Sequence, residues 1–333
     1  MLDQRLSRRS LLRAATALTS GAMLGLLAVP QPARAAAARL RWANLTPGFT
    51  TLLTDYMVAK GIDKANDLQL GKPTAYTSVT TYYNDFVAGN YDVCIGSWDT
   101  FASRYLSSVP VQYVCSVTTG NMINLITQAQ GVNSIQDLKG KTLAAPQSTG
   151  TYRMTRAVLK ELTGLDIESY AVVQNVDNPA ASATLVMANR ADAGLTWEPN
   201  VSAGLKRAPD MRVLYNVGEE YRRKVGLDLP YFGVAVRKDV VARDPSVVTR
   251  LNTAFAQCIA GIVGNTDEAV TIAGANSGMS PDVLKAAIES KRLEFKHTSM
   301  QKEDGRRTIL AASEFMVRNG ALSKAVDDGF FAA

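Results

Sequence analysis

Residues 142–163 read TLAAPQSTGTYRMTRAVLKELT, which joins a short apolar run to a helical segment through a turn of small residues. The run 142–145 has the length of a buried strand, and apolar residues at helical spacing follow over 149–163. Hydroxyl groups and unpaired amides at a helix start can bind a carboxylate, sulfonate or phosphate, although the same residues also serve as ordinary helix caps. The turn supplies five candidate ligand residues, with plain capping as the alternative: Gln147, Ser148, Thr149, Gly150 and Thr151.

The same alternation of strand and helix runs through most of the chain and predicts an α/β fold with mainly parallel sheets. The predicted strands are 40–45, 73–77, 93–96, 111–117, 125–128, 142–145, 171–176, 193–196, 212–217 and 232–237. The predicted helices are 50–66, 80–88, 149–163, 179–188, 199–207, 245–263, 266–276, 281–290 and 299–319. After the strand 232–237 only helices are expected.

Two segments one hundred residues apart resemble each other. Residues 86–99 read FVAGNYDVCIGSWD, and residues 186–198 read VMANRADAGLTWE. Each has the end of a helix, a tight turn, an aspartate, a short apolar strand and then a hydroxyl residue, a tryptophan and a carboxylate. A match this short can arise by coincidence. If it is real, the chain forms two similar lobes that face each other.

Ligands of open α/β sheets bind beyond the carboxyl ends of the strands. The residues that follow the predicted strands are polar and aromatic, with no His, Cys or Lys among them. A tryptophan beside a carboxylate, as in Trp98-Asp99 and Trp197-Glu198, suits a cationic or hydrogen-bond-donating planar group, although tryptophan more often packs in a core. Besides the turn at 147–151, the candidates are Asn44, Thr46, Tyr76, Ser97, Trp98, Asp99, Asn121, Trp197 and Glu198.

The composition argues against catalysis. His297 is the only histidine and lies far along the chain from the candidate loops, so neither a Ser/His/Asp triad nor a multi-histidine metal site is expected. The sequence has no Gly-rich phosphate motif and no Cys-x-x-Cys, and no cofactor is expected. The three cysteines favour buried thiols, but a disulfide between Cys94 and Cys115 stays open.

The N-terminus predicts export. The pair Arg8-Arg9 precedes an apolar run over 14–30, and the small residues of Ala33-Arg34-Ala35 suit a signal peptidase, so residues 1–35 are predicted to be a twin-arginine signal peptide cleaved after Ala35. A membrane anchor is the alternative, but the apolar run is short for a span. Cleavage leaves 31 of the 36 basic and 29 of the 30 acidic side chains, hence a charge of +2 instead of +6. No nucleic-acid or membrane-surface partner is expected.

Several segments together resemble a known family. They are SIQDLKGKTLA at 134–144, the turn at 147–150, LKELTGL at 159–165, Ala191-Asp192-Ala193 and Glu198-Pro199. From Leu40 to about Leu322 the chain resembles the substrate-binding proteins of the nitrate/sulfonate/taurine class of ABC importers. The resemblance implies a type II periplasmic binding protein, a monomer that closes two lobes on a small molecule and delivers it to a permease in the inner membrane.

Under this resemblance lobe 1 comprises 36–121 with 223–333, lobe 2 comprises 122–222, and the ligand loops match the strand-end residues named above. The chain departs from the family by placing Asp99 and Glu198 where a small inorganic anion would need neutral or basic groups. This departure favours a ligand with an acidic end at Ser148–Thr151 and a planar or amine-bearing end at the tryptophans. A ligand-presenting partner of a sensor or chemoreceptor is an alternative function. A thiamine-pyrimidine-synthase-like enzyme is another, disfavoured because such enzymes use His and Cys chemistry.

Overall fold

The computed structural model describes residues 37–332, and the predicted signal peptide at 1–35 lies outside them. Strands and helices alternate along the described chain, which confirms the α/β class. The strands are β1 (Ala38–Arg39), β2 (Ala43–Leu45), β3 (Leu68–Gln69), β4 (Thr74–Tyr76), β5 (Val93–Ser97), β6 (Val111–Thr118), β7 (Ile123–Gln128), β8 (Thr142–Ala145), β9 (Val172–Asn175), β10 (Ala193–Trp197), β11 (Met211–Asn216), β12 (Phe232–Arg237) and β13 (Phe295–Ser299).

The helices fill the intervals between the strands and most of the C-terminal third. They are α1 (Thr50–Ala59), α2 (Ile62–Ala65), α3 (Val79–Ala88), α4 (Trp98–Leu106), α5 (Gly150–Thr163), α6 (Ile167–Tyr170), α7 (Pro179–Met187), α8 (Asn200–Arg207), α9 (Val217–Val225), α10 (Lys238–Arg243), α11 (Ser246–Gly264), α12 (Thr266–Ser277), α13 (Pro281–Glu289) and α14 (Glu303–Arg318). Short 3₁₀ turns occupy Gly120–Met122, Ile135–Leu138 and Asp328–Phe330.

The first sheet has the strand order β13-β6-β12-β5, and a parallel bridge from Trp42 to Val93 adds the parallel pair β2 and β4 beside β5. Strand β12 is antiparallel to both β5 and β6. Thus β2, β4, β5 and β6 run in one direction, and β12 is a reversed strand inserted between the last two.

The second sheet has the order β11-β7-β10-β8-β9. Strands β8, β9 and β10 are parallel, whereas β7 is antiparallel to both β10 and β11. This is the plan of the first sheet: β9-β8-β10-β7-β11 corresponds to β4-β2-β5-β12-β6. The two segments that resemble each other in sequence end in β5 and β10, which occupy the same place in the two sheets.

One equivalence can be followed to single atoms. The Asp92 carboxylate before β5 accepts the Arg41 amide at 2.9 Å, and the Asp192 carboxylate before β10 accepts the Thr142 amide at 2.8 Å. Each aspartate thus fixes the start of its strand against the neighbouring strand. The shared aspartate of the two sequence segments therefore has the same structural task twice.

Several local predictions are wrong, and helices α6, α9 and α10 were also not predicted. Strand β13 follows β12, where only helices were expected. Its residues are mostly half-buried and only Phe295 is apolar, because β13 is an edge strand paired with β6. Helix α4 was not predicted, since residues 98–102 are all buried and show no helical spacing. The helix expected at 50–66 is interrupted at Gly61, whose φ of 63° ends α1 and begins α2.

The core of the first sheet is rich in aromatic side chains, and it also holds the three thiols. Burial raises the pKa of Cys94 to about 12, and the three cysteines are free. Cys94 and Cys115 both lie opposite β12, on its two sides, so one strand separates them. Two strand spacings come to about 10 Å, beyond the reach of a disulfide, which favours the prediction of unpaired thiols.

Helix α11 is long and apolar enough to cross a membrane by length and composition alone. Half of its apolar window is buried, and Leu251, Phe255 and Cys258 pack into the core beside the first sheet. These contacts are typical of a core helix of a globular fold.

Candidate functional site

Two adjoining cavities of about 220 and 50 Å³ lie at the carboxyl ends of the strands, between elements of the first sheet and elements of the second. They share four lining side chains, Leu45, Val79, Trp197 and Phe232. The larger cavity is also lined by Thr80, Tyr83, Asn84, Ser97, Thr100, Arg104, Ser148, Thr149, Gly150, Thr151 and Tyr231. The smaller is also lined by Thr46, Pro47, Gly48, Phe49, Thr50, Thr77, Asn178, Pro179, Pro199 and Asn200. We call the two together the cleft.

Half of the predicted ligand residues line the cleft: Thr46, Ser97, Ser148, Thr149, Gly150, Thr151 and Trp197. They come from the ends of β2, β5, β8 and β10, as the strand-end rule predicts. Their role in ligand binding stays a prediction. Thr149 is also the N-cap of α5, with its hydroxyl accepting the Tyr152 amide at 3.3 Å, so the plain capping explanation holds for this residue.

The structure places the other predicted residues outside the cleft walls. Asn44 lines a separate surface groove and donates to Thr54 Oγ1 at 3.1 Å. The Tyr76 hydroxyl donates to Asp85 at 2.6 Å, and burial together with this bond raises the pKa of Tyr76 to about 12.

Two further predicted residues have structural partners. The Asn121 amide donates to Glu294 at 3.1 Å, where the chain passes from β6 to β7. The backbone amide of Gln147 donates to Asn175 Oδ1 at 3.1 Å and holds the turn against the end of β9. Both contacts brace the loops around the cleft.

The two tryptophans differ in exposure. Trp197 at the end of β10 is half-buried and lines both cavities, whereas Trp98 is fully buried at the start of α4. The expectation of two indoles facing a ligand is corrected for Trp98, because the first turn of α4 is enclosed on all sides. Only the second of the two matched segments presents its indole to the cleft.

Asp99, also expected to meet the ligand, is fully buried and paired. Its Oδ2 accepts hydrogen bonds from Arg153 Nε at 3.0 Å and Nη2 at 2.7 Å, and its Oδ1 accepts from Ser97 Oγ at 2.5 Å. A Cβ at position 150 would overlap this carboxylate, so Gly150 lets it lie against the start of α5. The carboxylate thus lies beside the helix start where the sequence predicts a bound anion.

Glu198 has the equivalent arrangement. It is fully buried, and its Oε1 accepts from Arg292 Nε at 2.7 Å and from Ser202 Oγ at 3.0 Å. Asp99 follows a strand of the first sheet and pairs with α5 of the second, whereas Glu198 follows a strand of the second and pairs with the segment before β13 of the first. Two buried ion pairs therefore cross between the two sheets in opposite senses.

Arg104 is the one charged side chain among the residues that line the cleft in the described chain. Its guanidinium lies over the Tyr83 ring at 4.8 Å, and Nη1 donates to the Thr100 carbonyl at 3.4 Å. Sequence reasoning missed it because α4 was not predicted. With that helix in place, the spacing of four from Thr100 would have put both residues on one helix face.

Tyr231 also lines the larger cavity. The hydroxyl groups of Tyr231 and Thr151 are 2.5 Å apart, which joins the start of β12 to the start of α5. Burial raises the pKa of Tyr231 far above its usual value, so the phenol is neutral at physiological pH. Within residues 37–332 no group of three or more His, Cys, Asp and Glu side chains could hold a metal ion.

Comparison with known proteins agrees with this architecture. The family model described as NMT1/THI5 like matches residues 52–269. No curated protein matches the chain in sequence.

Several solved structures have the same fold. The periplasmic aliphatic sulphonate binding protein SsuA of Escherichia coli has a TM-score of 0.68 at 13% identity, over 87% of this chain and 90% of that one. The alkanesulfonate-binding protein SsuA of Xanthomonas axonopodis pv. citri, bound to MOPS, has 0.68 at 16% over 87% and 96%. A ligand-binding component of an ABC-type import system from Staphylococcus aureus, with zinc bound, has 0.67 at 12% over 88% and 96%. These matches confirm the periplasmic-binding-protein fold.

Proposed function

Since the chain belongs to the NMT1/THI5-like family, we propose that it is the solute-binding component of an ABC importer and captures a small organic molecule in the cleft. Relatives of the same fold include sulfonate-binding proteins and a ligand-binding component of an ABC import system. Our proposed ligand classes are sulfonates, carboxylates and planar nitrogen compounds. The partner that receives the solute is a permease of the inner membrane.

The observation that carries this proposal is that both sheets contribute to the cleft walls. We assign lobe 1 to 36–121 with 223–333 and lobe 2 to 122–222. The chain passes between the sheets twice, from β6 to β7 and from β11 to β12. Two passages of this kind form a hinge about which lobes close on a ligand. A single such molecule contains the whole cleft, so the functional unit is a monomer.

The lining chemistry supports binding rather than catalysis. Among the described residues that line the cleft there is no His, Cys, Asp, Glu or Lys, and hence no general base and no strong nucleophile other than hydroxyl groups. His297 lies at a different surface groove, with Asn252 and Lys302. A substrate would find surfaces to contact but no group able to transfer a proton at neutral pH.

The site of action is the periplasm, reached through the twin-arginine signal proposed for residues 1–35. Replacing Arg8 and Arg9 by lysine tests this route. Loss of the mature form from the periplasmic fraction is the expected result. Continued export after the double replacement would assign the protein to another pathway.

A thermal-shift screen of sulfonates, carboxylates, amines and pyrimidines tests the binding function, followed by uptake of a labelled hit in a strain that lacks the gene. A rise in melting temperature together with lost uptake supports the importer. Binding with normal uptake favours a protein that presents its ligand to a sensor. No melting shift with any compound would contradict a binding function.

A further inference from the structure

Arg104 and Arg153, on the neighbouring helices α4 and α5, are in different electrostatic states. Arg153 gives two hydrogen bonds to the Asp99 carboxylate, so its charge is balanced within the protein. Arg104 has no ion pair within residues 37–332, and its contacts are a backbone carbonyl and an aromatic ring. The cleft therefore carries one uncompensated positive charge.

The predicted anion position at the start of α5 is already taken. The Asp99 carboxylate lies against Gly150 there, with its charge balanced by Arg153. The Asp99 carboxylate already fills the space beside Gly150, and the neutral Asp99–Arg153 pair offers a second anion no net charge attraction at this helix start. The acidic end of a ligand therefore has to bind elsewhere in the cleft.

Arg104 offers that place. It is half-buried, and it lies on α4 in the wall of the larger cavity together with Tyr83 and Thr100. A guanidinium is a planar donor that can bind a carboxylate or sulfonate through two parallel hydrogen bonds. Its position over the Tyr83 ring restricts its orientation, so little side-chain freedom remains to be lost on binding.

The walls that both cavities share are apolar or aromatic: Leu45, Val79, Trp197 and Phe232. The smaller cavity has no charged lining residue in the described chain. An uncharged body would fill this part with its flat or apolar surface against the indole and the phenyl ring.

We propose that Arg104 binds the acidic group of the ligand and that the solute is a small organic monoanion whose flat or apolar body lies against Trp197 and Phe232. This inference rests on the proposed binding function and narrows it. The Asp99 carboxylate already lies against the start of α5, and Arg104 is the uncompensated positive charge among the residues that line the larger cavity. Specificity then depends on the positive charge of Arg104, whereas the sequence analysis placed the acidic end of the ligand at Ser148–Thr151.

The test is isothermal titration calorimetry with matched probes. Aromatic and aliphatic monocarboxylates and monosulfonates, such as benzoate and benzenesulfonate, are each compared with an uncharged or cationic counterpart, such as benzamide and benzylammonium. The anions should bind and their counterparts should not. Anion affinity should also fall as salt is added, because a charge contact at a half-buried site is partly screened.

Variants assign the contact. Arg104→Gln should weaken anion binding about 10- to 100-fold, the range for losing hydrogen bonds to a charged group, and Arg104→Lys should recover part of it. Arg318→Gln is the matched control, because Arg318 also lies over a ring, that of Phe315, but outside the cleft. Melting temperatures of all variants show whether the fold is intact.

The outcomes separate two failures. If an amine or neutral compound binds in a manner that depends on Trp197, while no anion binds or Arg104→Gln leaves affinity unchanged, the monoanion inference is overturned and the binding function stands. If no compound of any class binds the wild-type protein, the proposed function itself is contradicted.

Discussion

Asp99 and Arg153 form an ion pair with a fully buried carboxylate, which joins helix α4 beside the first sheet to helix α5 beside the second. Glu198 and Arg292 form its counterpart, with donor and acceptor exchanged between the two sides. Each pair includes a carboxylate with no exposed surface, so each is less screened by salt than a surface ion pair. Contact between the two sides of the cleft is therefore supported by two pairs whose carboxylates follow the equivalent strands β5 and β10, although their arginines come from elements that do not correspond.

Arg153→Gln should lower the free energy of unfolding by about 3–5 kcal/mol, because it leaves the buried Asp99 carboxylate without its counter-charge. Urea unfolding followed by circular dichroism measures the change. The control is Arg156→Gln on the same helix, whose partners Asp166 and Glu168 are exposed, with an expected loss of about 0–1 kcal/mol. Equal losses for the two variants would show that the Asp99–Arg153 pair contributes no more to the free energy of unfolding than the exposed pairs of Arg156.

Arg292→Gln should shift the unliganded protein towards an open cleft, because Glu198 then loses its partner across the cleft and keeps only Ser202. Small-angle X-ray scattering should show a larger radius of gyration than for the wild type. Lys206→Gln is the control, since Lys206 and Asp282 link α8 with α13, the helices next to Glu198 and Arg292, but are largely exposed. A radius unchanged in both variants would mean that the Glu198 pair does not hold the cleft closed.

Trp197→Ala should weaken ligand binding by roughly 1 kcal/mol or more with little loss of stability, because its indole lines both cavities. Trp98→Ala should instead lower the free energy of unfolding by about 3–5 kcal/mol, since that side chain is fully buried. Calorimetry and urea unfolding on both variants measure the contrast. Reversed effects would contradict the assignment of one indole to the cleft and the other to the core.

Stability should depend on pH through His297. Burial lowers the pKa of His297 to about 4 from 6.5, so the folded protein keeps this side chain neutral where the unfolded chain takes up a proton. The contribution of neutral His297 to the free energy of unfolding is complete above pH 6.5. It declines between pH 6.5 and 4 and falls no further below pH 4. The loss should reach at most about 3 kcal/mol.

The single histidine makes this measurement direct. Urea unfolding of the wild type and of His297→Gln is compared between pH 4 and 7, so that the titration of carboxylates cancels. The difference in unfolding free energy between the two proteins should change with pH in favour of the wild type as pH rises. A constant difference would show that His297 titrates alike in the folded and unfolded chain.

Much of the architecture was predictable from the sequence, because short apolar runs and helical periodicity record what a central sheet buries. The turn at 147–151 and the match between 86–99 and 186–198 also placed residues correctly at strand ends. Edge strand β13 was not predictable in this way, since one face and one edge of it meet solvent and only Phe295 is buried deeply. Helix α4 could not be predicted from periodicity, because residues 98–102 are all buried and give no amphipathic pattern.

The site was only partly predictable for a different reason. The sequence shows which loops meet at the strand ends but not which charges pair across the space between them. Arg153 and Arg292 are unremarkable in sequence, yet they neutralise both of the carboxylates that were expected to face a ligand. Arg104 was overlooked along with its helix, although it is the charge that remains in the cleft.

The reversed strand β12 also determines when the first sheet can form during synthesis. Strands β5 and β6, whose residues are nearly all buried, cannot be joined in one sheet until β12 pairs with both, and β12 ends only at residue 237. All of the second sheet is made in the interval. We expect the nascent chain to be most prone to aggregation while residues 119–237 emerge, because two apolar strands then have unpaired edges and no partner to cover them.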